Sequence, residues 1–419
     1  MLSADPCHDD AVVDPEELLA ELAALGSAAA AGRSTHVGFP VATDIDYSPL
    51  APLFGALLNN IGDPWTDPAG ANHTKRYERE VLDWFGDLFQ APADDRWGYL
   101  TSGGTEGNLY ALYLARARFP KALVYHSADA HYSLPKCVDI LGMDSLVIRT
   151  DERGEIDYDD LAHMIDQHRD RPAIVVATCG TTMTEAADDV PRIREILARA
   201  AVRHHLHVDG ALAGVPLALA DRRSTLRLDS VIDSISISGY KFLGTPVPCG
   251  VVLTRRTLQQ QLGQTPNYTA TVDTTISGSR SGHPALLLWY AIRALGHAGM
   301  RERADRAREL AAYAVDRLNE ANWPAWRHDH AFTVVFPTPP AEVTAKWVLA
   351  SSNGRSHLIC MPGVTKEVVD EFVADLATAV DPRPRPRKRR APARRARPAA
   401  DASPPTPPTG VVYSASCRS

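Results

Sequence analysis

Four short segments carry residue types that could do chemistry together. They read TSGGTEGN (101–108), DAHYS (129–133), HVDGALAG (207–214) and SISISGYKFLG (234–244), and each follows a short apolar run. Lys241 stands out because the chain has seven lysines against 37 arginines. A neutral lysine amine can form an imine with an aldehyde, whereas a guanidinium cannot. Lys241 is therefore a candidate covalent anchor for an aldehyde.

The other three segments are ambiguous when each is taken alone. The small residues of 101–108 favour a tight turn into a helix whose free N–H groups bind an anion such as phosphate. A plain helix start capped by Thr105 explains them equally well. Asp209 ends an apolar strand, where it either shapes a turn or pairs with a cation. His131 follows another strand and is either a solvated side chain or a functional one.

Taken together, the four segments match the requirements of pyridoxal 5'-phosphate (PLP). This cofactor needs a lysine for its aldehyde, an anion site for its phosphate, a carboxylate for its ring nitrogen and a flat group stacked on its ring. Lys241, the loop at 101–108, Asp209 and His131 supply these in turn. The combination predicts a PLP site.

The elements that must position these residues alternate along the chain. Short β-branched runs alternate with helical stretches between residues 99 and 254, which predicts an α/β domain with a largely parallel sheet. Such sheets bind ligands at the carboxyl ends of their strands. The predicted organisation is an N-terminal helix and substrate- or dimer-facing segment (1–75), a PLP-binding large domain (76–298), a small α+β domain (299–380) and a disordered Arg/Pro-rich tail (381–419).

Composition excludes several classes of partner. The formal net charge of −7 divides into +8 on residues 381–419 and −15 on the rest, and an acidic body is a poor match for nucleic acid. No apolar stretch is long enough to span a membrane, and the acidic N-terminus is unlike a signal peptide. The six cysteines are scattered singly, which favours a reducing cytoplasm and gives no metal-binding pattern.

The chain resembles the PLP-dependent group II amino-acid decarboxylases, most closely the bacterial histidine decarboxylases and the plant serine decarboxylases. The resemblance covers about 38–378 and includes NNIGDPW, WGYLTSGGTEGNLYALYLAR, HSADAHYSLPK, HVDGALAG and SISISGYKFLGTPVPCG. It implies the aspartate-aminotransferase-like fold type I, with a large parallel-sheet domain and a small C-terminal domain. It also implies a homodimer with shared active sites, in which SGSRSGH (277–283) lies at the subunit interface.

The resemblance further implies individual roles. Lys241 holds the cofactor, Asp209 pairs with its ring nitrogen, and Ala211 and His131 pack on opposite faces of the ring. The predicted phosphate-binding residues are Gly104, Thr105, Ser238 and Tyr240. Thr181 or Thr182 lies near the ring oxygen, and either Tyr268 or Lys241 donates the proton that replaces the carboxylate.

Two departures from the family pattern leave the outcome of the reaction open. The family motif Ser-Gly-His-Lys here reads Ser-Gly-Tyr-Lys, so Tyr240 replaces a titratable cation with a hydroxyl. The basic tail is not a family feature. Histidine ranks first as substrate, then serine, then a branched aliphatic amino acid. The alternatives are decarboxylation-dependent transamination, an aldol-type cleavage, or a non-catalytic relative that binds a partner through its tail.

Overall fold

A seven-stranded sheet forms the centre of the larger part of the chain. The computed structural model describes residues 14–67, 70–220, 225–260, 262 and 273–379. The strands of this sheet are β1 (Arg96–Thr101), β2 (Leu123–Ser127), β3 (Asp144–Ile148), β4 (Ala173–Thr178), β5 (His204–Asp209), β6 (Ser234–Ser238) and β7 (Gly250–Arg255). Their spatial order is β1-β7-β6-β5-β4-β2-β3. The short β-branched runs noted between residues 99 and 254 correspond to β2 through β7.

Strand direction brings six carboxyl ends to one edge of the sheet. Only β7 runs antiparallel to its neighbours, β1 and β6, and all the other pairs are parallel. The predicted α/β fold with a largely parallel sheet is confirmed. Every residue of β1, β2, β4 and β6 is buried, as expected for a sheet covered by helices on both faces.

Helices connect these strands. They are α2 (Lys75–Leu88), α3 (Gly104–Arg118), α4 (Ser133–Ile140), α5 (Tyr158–Gln167), α6 (Val190–Ala200), α7 (Gly214–Leu219) and α8 (Arg256–Gln259). Helix α3 crosses one face of the sheet and contacts β5, β6 and β7. Its buried residues include polar ones, Glu106 and Asn108, which indicates that this helix face meets polar partners rather than only the apolar core.

The C-terminal part forms a second, smaller sheet beside a long helix. Its elements are α9 (His283–Glu320), β8 (Thr333–Pro337), α10 (Ala341–Lys346), β9 (Ala350–Ser352), β10 (Arg355–Ile359) and α11 (Lys366–Thr378). The sheet is antiparallel in the order β8-β10-β9. The long helix α9 is interrupted at Gly296, which has φ 60° and non-helical backbone angles. The domain boundary predicted after residue 298 falls two residues beyond this glycine.

The N-terminal helix α1 (Pro15–Gly32) forms as predicted, but its apolar residues are exposed. Its leucines at 18, 19, 22 and 25 are 46–66% exposed, and within the described residues α1 buries no side chain. Two short 3-10 helices follow, Arg33–Thr35 and Ser48–Gly55, in a segment that is otherwise loop. The predicted disordered tail at 381–419 lies outside the described residues. Among the described helices, none combines the length and the apolarity needed to cross a bilayer.

A buried ion pair ties the loop before α2 to the segment before α9. Arg280 bonds to Glu78 and donates to the carbonyls of Gly62 and Leu100. Glu78 also accepts from the side chain of Asn60 and from the backbone of Leu100. Both charged side chains are at most 5% exposed. This pair anchors SGSRSGH (277–283) to helix α2 and to the loop before it.

Arg280→Met is expected to lower the free energy of unfolding by about 3–5 kcal/mol, because it leaves the carboxylate of Glu78 buried without its cation. Urea denaturation measures the change. The matched control is Arg199→Met, which breaks an exposed pair with Glu195 and should cost less than about 1 kcal/mol. Equal losses in the two variants would contradict this account of the buried pair.

Candidate active site

The predicted site segments lie along one edge of the large sheet. Gly104 begins α3 directly after β1, and His131 lies between β2 and α4. Asp209 is the last residue of β5, and Lys241 follows the end of β6 by three residues. Since these four strands run in the same direction, their carboxyl ends meet at this edge.

The glycine-rich loop enters α3 without a side-chain cap from the described residues. Gly103 occupies the N-cap position, so the explanation in which Thr105 caps the helix is wrong. Thr105 is instead exposed within the first turn. Glu106 turns back and accepts from the backbone N–H of Ser102 at 2.7 Å. The first N–H groups of a 15-residue helix are thus left for a ligand at the sheet edge.

Small residues let this loop approach the Asp209 and Lys241 loops closely. A Cβ atom added to Gly104 would lie 2.8 Å from Ser238 Oγ and 3.5 Å from Ala211 Cβ. A Cβ on Gly103 would lie 4.0 Å from Cε1 of Tyr240. The structure therefore brings together Gly104, Ala211, Ser238 and Tyr240, and the first of these distances leaves no room for a larger residue at 104.

Asp209 is held as a buried hydrogen-bond acceptor. Its side chain is nearly inaccessible, with 4% of the residue exposed. One carboxylate oxygen accepts from Asn108 Nδ2 at 2.8 Å and the other from the backbone N–H of Ala211 at 3.1 Å. Each oxygen keeps a further lone pair, so the carboxylate can still accept a proton-bearing ring nitrogen.

Burial favours the neutral form of the Lys241 amine. Desolvation lowers the pKa of its amine, while the negative charges of Asp209 and Glu185 partly oppose the shift. A lowered pKa increases the fraction of unprotonated amine, which is the form that attacks an aldehyde. Lys241 thus has the character that the predicted role requires.

His131 shares the electrostatic environment of Lys241 and Asp209. Burial lowers the pKa of its imidazole, the charge of Lys241 lowers it further, and the carboxylate of Asp209 raises it. Its Nδ1 lies 2.8 Å from the hydroxyl oxygen of Ser133. The largely neutral ring is half-buried at the sheet edge.

The two threonines of CGTT have different surroundings. Thr181 is buried, where its hydroxyl lies 2.9 Å from that of Thr184 and accepts from the backbone N–H of Ala186. Thr182 is exposed, so its hydroxyl is the freer of the two for a ligand. Tyr268, the other predicted proton donor, lies outside the described residues.

The residues at this edge fit PLP. The free N–H groups at the start of α3 can bind a phosphate, and the glycine at position 104 lets the loop lie close to Ser238 and Ala211. Asp209 has acceptor positions left for a ring nitrogen. Lys241 supplies an amine with a lowered pKa. The assignment of each residue to its contact with the cofactor remains a prediction.

Sequence reasoning missed Glu185, a buried titratable residue close to the site. It lies in the loop after β4 with φ 55° and joins the two sheets. Its Oε2 accepts from the backbone of Phe332 and from the backbone and the hydroxyl of Thr333. Its Oε1 has no hydrogen-bond partner among the described residues. No signal in the surrounding sequence distinguishes Glu185 from a surface loop residue.

Glu185→Gln is expected to reduce the pH dependence of stability. Burial raises the pKa of Glu185 from 4.5 to about 7, so the folded protein retains a proton that the unfolded chain releases. This contribution to stability is complete below pH 4.5 and is lost as the pH rises through 7, by about 3 kcal/mol in total. Glutamine does not titrate. Urea denaturation at pH 5 and pH 8 measures the slope.

The control for this experiment is Glu195→Gln, which changes an exposed carboxylate on α6 and should leave the slope unchanged. An undiminished slope in Glu185→Gln would show that Glu185 does not hold the proton.

The chain matches a family model and curated relatives over most of its length. Residues 46–335 match the pyridoxal-dependent decarboxylase conserved domain. A histidine decarboxylase from Mesorhizobium japonicum is 41% identical over 342 residues, which cover 81% of this chain and 92% of the relative. A histidine decarboxylase from Acinetobacter baumannii strain ACICU is 42% identical over 328 residues, covering 77% and 85%.

Solved structures show the same architecture. L-methionine decarboxylase from Streptomyces sp. 590 superposes with a TM-score of 0.80 and 26% identity, over 88% of this chain and 96% of that one. Glutamate decarboxylase from Lactobacillus brevis has the same fold, with a TM-score of 0.74 and 16% identity over 90% and 95%. With the lysine, carboxylate and glycine-rich loop gathered at one sheet edge, the chain belongs to the pyridoxal-dependent decarboxylase family and is a PLP-dependent amino-acid carboxy-lyase.

Proposed function

We propose that this enzyme decarboxylates L-histidine to histamine and carbon dioxide. The observation that carries the proposal is the 41–42% identity to the two histidine decarboxylases, extending over more than three quarters of the chain. The residues at the sheet edge support decarboxylation of an amino acid in general. Serine and branched aliphatic amino acids rank behind histidine.

The chain's own residues divide the work of the reaction. When bound, PLP supplies an electron-accepting ring that stabilises the negative charge left on Cα as carbon dioxide departs. Lys241 would hold the aldehyde carbon of the cofactor through its amine. Asp209 would accept a hydrogen bond from the protonated ring nitrogen, and His131 would cover one face of the ring. Tyr268 or Lys241 then delivers a proton to Cα.

A panel of the twenty amino acids tests the substrate. Carbon dioxide release and amine formation are measured for each at equal concentration. We expect histidine to give the highest kcat/KM, with histamine equal to the carbon dioxide released. A higher kcat/KM for serine, methionine or valine would overturn the substrate assignment. Aldehyde in place of amine, with conversion of PLP to pyridoxamine 5'-phosphate, would instead show decarboxylation-dependent transamination.

Tyr240 is proposed to occupy the position of the family histidine beside the phosphate. Its ring lies near Gly103 at the entrance to α3, and its hydroxyl can donate one hydrogen bond. Tyr240→His should therefore retain the cofactor, with a dissociation constant within about tenfold of the parent enzyme. Equilibrium dialysis with PLP measures this. Loss of the cofactor would show that tyrosine does not fill the histidine position.

A second copy of the chain is the proposed partner of the exposed N-terminal segment. Leu19, Leu22 and Leu25 of α1 are more than 60% exposed, and Phe54 and Leu57 are 50% and 79% exposed. An exposed apolar patch of this kind favours a protein interface. Ser277, Ser279 and Ser281 also face outward, while Arg280 is anchored inside the subunit, which supports placing SGSRSGH at the same interface.

Sedimentation velocity tests the homodimer. The parent protein should sediment as a dimer, and Leu22→Glu with Leu25→Glu should weaken the association. A monomeric parent enzyme with full activity would contradict shared active sites.

A cytoplasmic location is proposed from the thiols. Among the described residues, Cys137, Cys249 and Cys360 are buried and form no disulfide. Unpaired thiols are typical of a reducing compartment.

A further inference from the structure

We propose that Asn108 and His207 are positioning residues that hold the carboxylate of Asp209 in place as an acceptor for the cofactor ring. This inference rests on the proposed contact of Asp209 with the ring nitrogen, and binding experiments separate the two claims.

A period-two pattern places polar side chains on one buried face of the sheet. His205, His207 and Asp209 alternate with Leu206 and Val208 in β5. In β6, Ser234, Ser236 and Ser238 alternate with Ile235 and Ile237. Alternate residues of a strand share a face, and His207 pairs with Ser234 as Asp209 pairs with Ser236. The polar members are therefore neighbours beneath α3.

These side chains form a continuous hydrogen-bonded chain that ends on Asp209. His205 Nε2 and His207 Nδ1 each lie 2.9 Å from Ser234 Oγ, and His207 Nε2 lies 3.0 Å from Asn108 Oδ1. Asn108 Nδ2 then donates to Asp209 at 2.8 Å. Asn108, His207 and Ser234 are at most 1% exposed, so water does not compete for these contacts.

The chemistry of each group determines the direction of every hydrogen bond. An ionised carboxylate only accepts, so Asn108 must present its NH₂ group to Asp209 and its carbonyl oxygen to the other side. That oxygen accepts from the hydroxyl of Ser236 and from His207 Nε2–H. Burial lowers the pKa of His207 to about 3, so the ring is neutral and its Nδ1 is the acceptor.

The same reasoning continues to the far end of the chain of bonds. The hydroxyl of Ser234 donates to His207 Nδ1 and accepts from His205 Nε2–H. His205 is also neutral, because burial lowers its pKa to about 4. Its Nδ1 carries no proton and has no partner among the described residues.

This arrangement locks the amide of Asn108 in one orientation. A flipped amide would point its NH₂ group at His207 Nε2–H, so that two donors would face each other. The reversed carbonyl would also face the carboxylate of Asp209, where acceptor would meet acceptor. The network thus keeps a donor on Asp209 and fixes the direction of its remaining lone pairs.

The test compares binding of PLP with binding of its 1-deaza analogue, which has a carbon in place of the ring nitrogen. Asn108→Leu keeps the size of the side chain and removes the donor. We expect its dissociation constant for PLP to rise about tenfold and that for the deaza analogue to change less than about twofold. Equal weakening of both ligands, or of neither, would overturn the proposal.

Histidine variants provide an independent test should Asn108→Leu fail to fold. His207→Gln can donate to Asn108 and accept from Ser234, so it should retain the parent selectivity between the two ligands. His207→Leu removes the donor to Asn108 Oδ1, so the amide of Asn108 is no longer held with its NH₂ group on the charged Asp209. We expect this variant to lose the selectivity between the two ligands and to lower kcat about tenfold with KM unchanged. Equal selectivity and equal kcat in the two variants would contradict the proposal that His207 orients the amide of Asn108.

A third comparison separates the proposed role of Asn108 and His207 from the assignment of Asp209 to the ring nitrogen. If Asp209→Asn does not alter the selectivity between PLP and the deaza analogue, the assignment of Asp209 to the ring nitrogen fails. If Asp209→Asn alters selectivity and Asn108→Leu does not, that assignment stands and the proposed positioning role of Asn108 and His207 is refuted.

Discussion

Lys241→Arg is expected to abolish decarboxylation, with kcat falling by at least about a thousandfold. Arginine keeps the positive charge and most of the length of the side chain. Its guanidinium remains protonated at all accessible pH values and cannot attack an aldehyde. The surroundings of Lys241 lower the pKa of a lysine amine by burial, but they cannot deprotonate a guanidinium. Steady-state carbon dioxide release measures the loss.

The matched control for this substitution is Lys136→Arg. Lys136 is exposed on α4, and its replacement should leave kcat within about twofold of the parent, as is usual for an exposed site. Circular dichroism checks that both variants fold. Substantial activity in Lys241→Arg would remove Lys241 from its central role and direct attention to the remaining lysines.

Asp209→Asn should lower kcat by about a hundredfold or more, because a neutral amide cannot balance the charge of a protonated ring nitrogen. The structure adds a second reason. The two oxygens of Asp209 accept from Asn108 and from the backbone of Ala211, and asparagine offers only one oxygen. One donor would therefore face the new NH₂ group. Steady-state kinetics with saturating PLP measures the effect.

Asp188→Asn is the control that separates catalysis from folding. Asp188 is also buried, and its two oxygens accept from the backbone of Ile156 and Thr178. Its replacement should lower the free energy of unfolding by a few kcal/mol, about the cost of an unsatisfied buried group, and leave the kcat of the folded protein nearly unchanged. Equal losses of kcat in both variants would argue that Asp209 acts through stability alone.

Strong local patterns made most of the large sheet predictable. The β-branched runs of β4 and β7 and the alternating run of β6 each coincide closely with a strand. The elements missed, such as α7, β9 and α10, have six residues or fewer, too short to show a period. Helix α1 was predicted correctly as a helix, but its exposed leucines show that periodicity does not reveal what covers an apolar stripe.

The candidate site was predictable where chemistry alone selects the residue type. The lysine amine is the side-chain group that forms an imine with an aldehyde, and the PLP ring nitrogen needs a carboxylate, so Lys241 and Asp209 could be named. Asn108 lies inside the quoted motif TSGGTEGN, yet its contact with Asp209 depends on how α3 packs across β5 and β6. Glu185 depends on the approach of β8. Contacts between distant segments leave no local signature.

The central claim is that the amine of Lys241 holds PLP. Borohydride reduces the carbon–nitrogen double bond that a lysine forms with an aldehyde and makes the attachment permanent. Purified enzyme loaded with PLP is reduced, digested and analysed by peptide mass spectrometry. The account predicts a phosphopyridoxyl group on the peptide that contains Lys241 and on no other lysine peptide. A group attached to a different lysine, or none under saturating PLP, would contradict it.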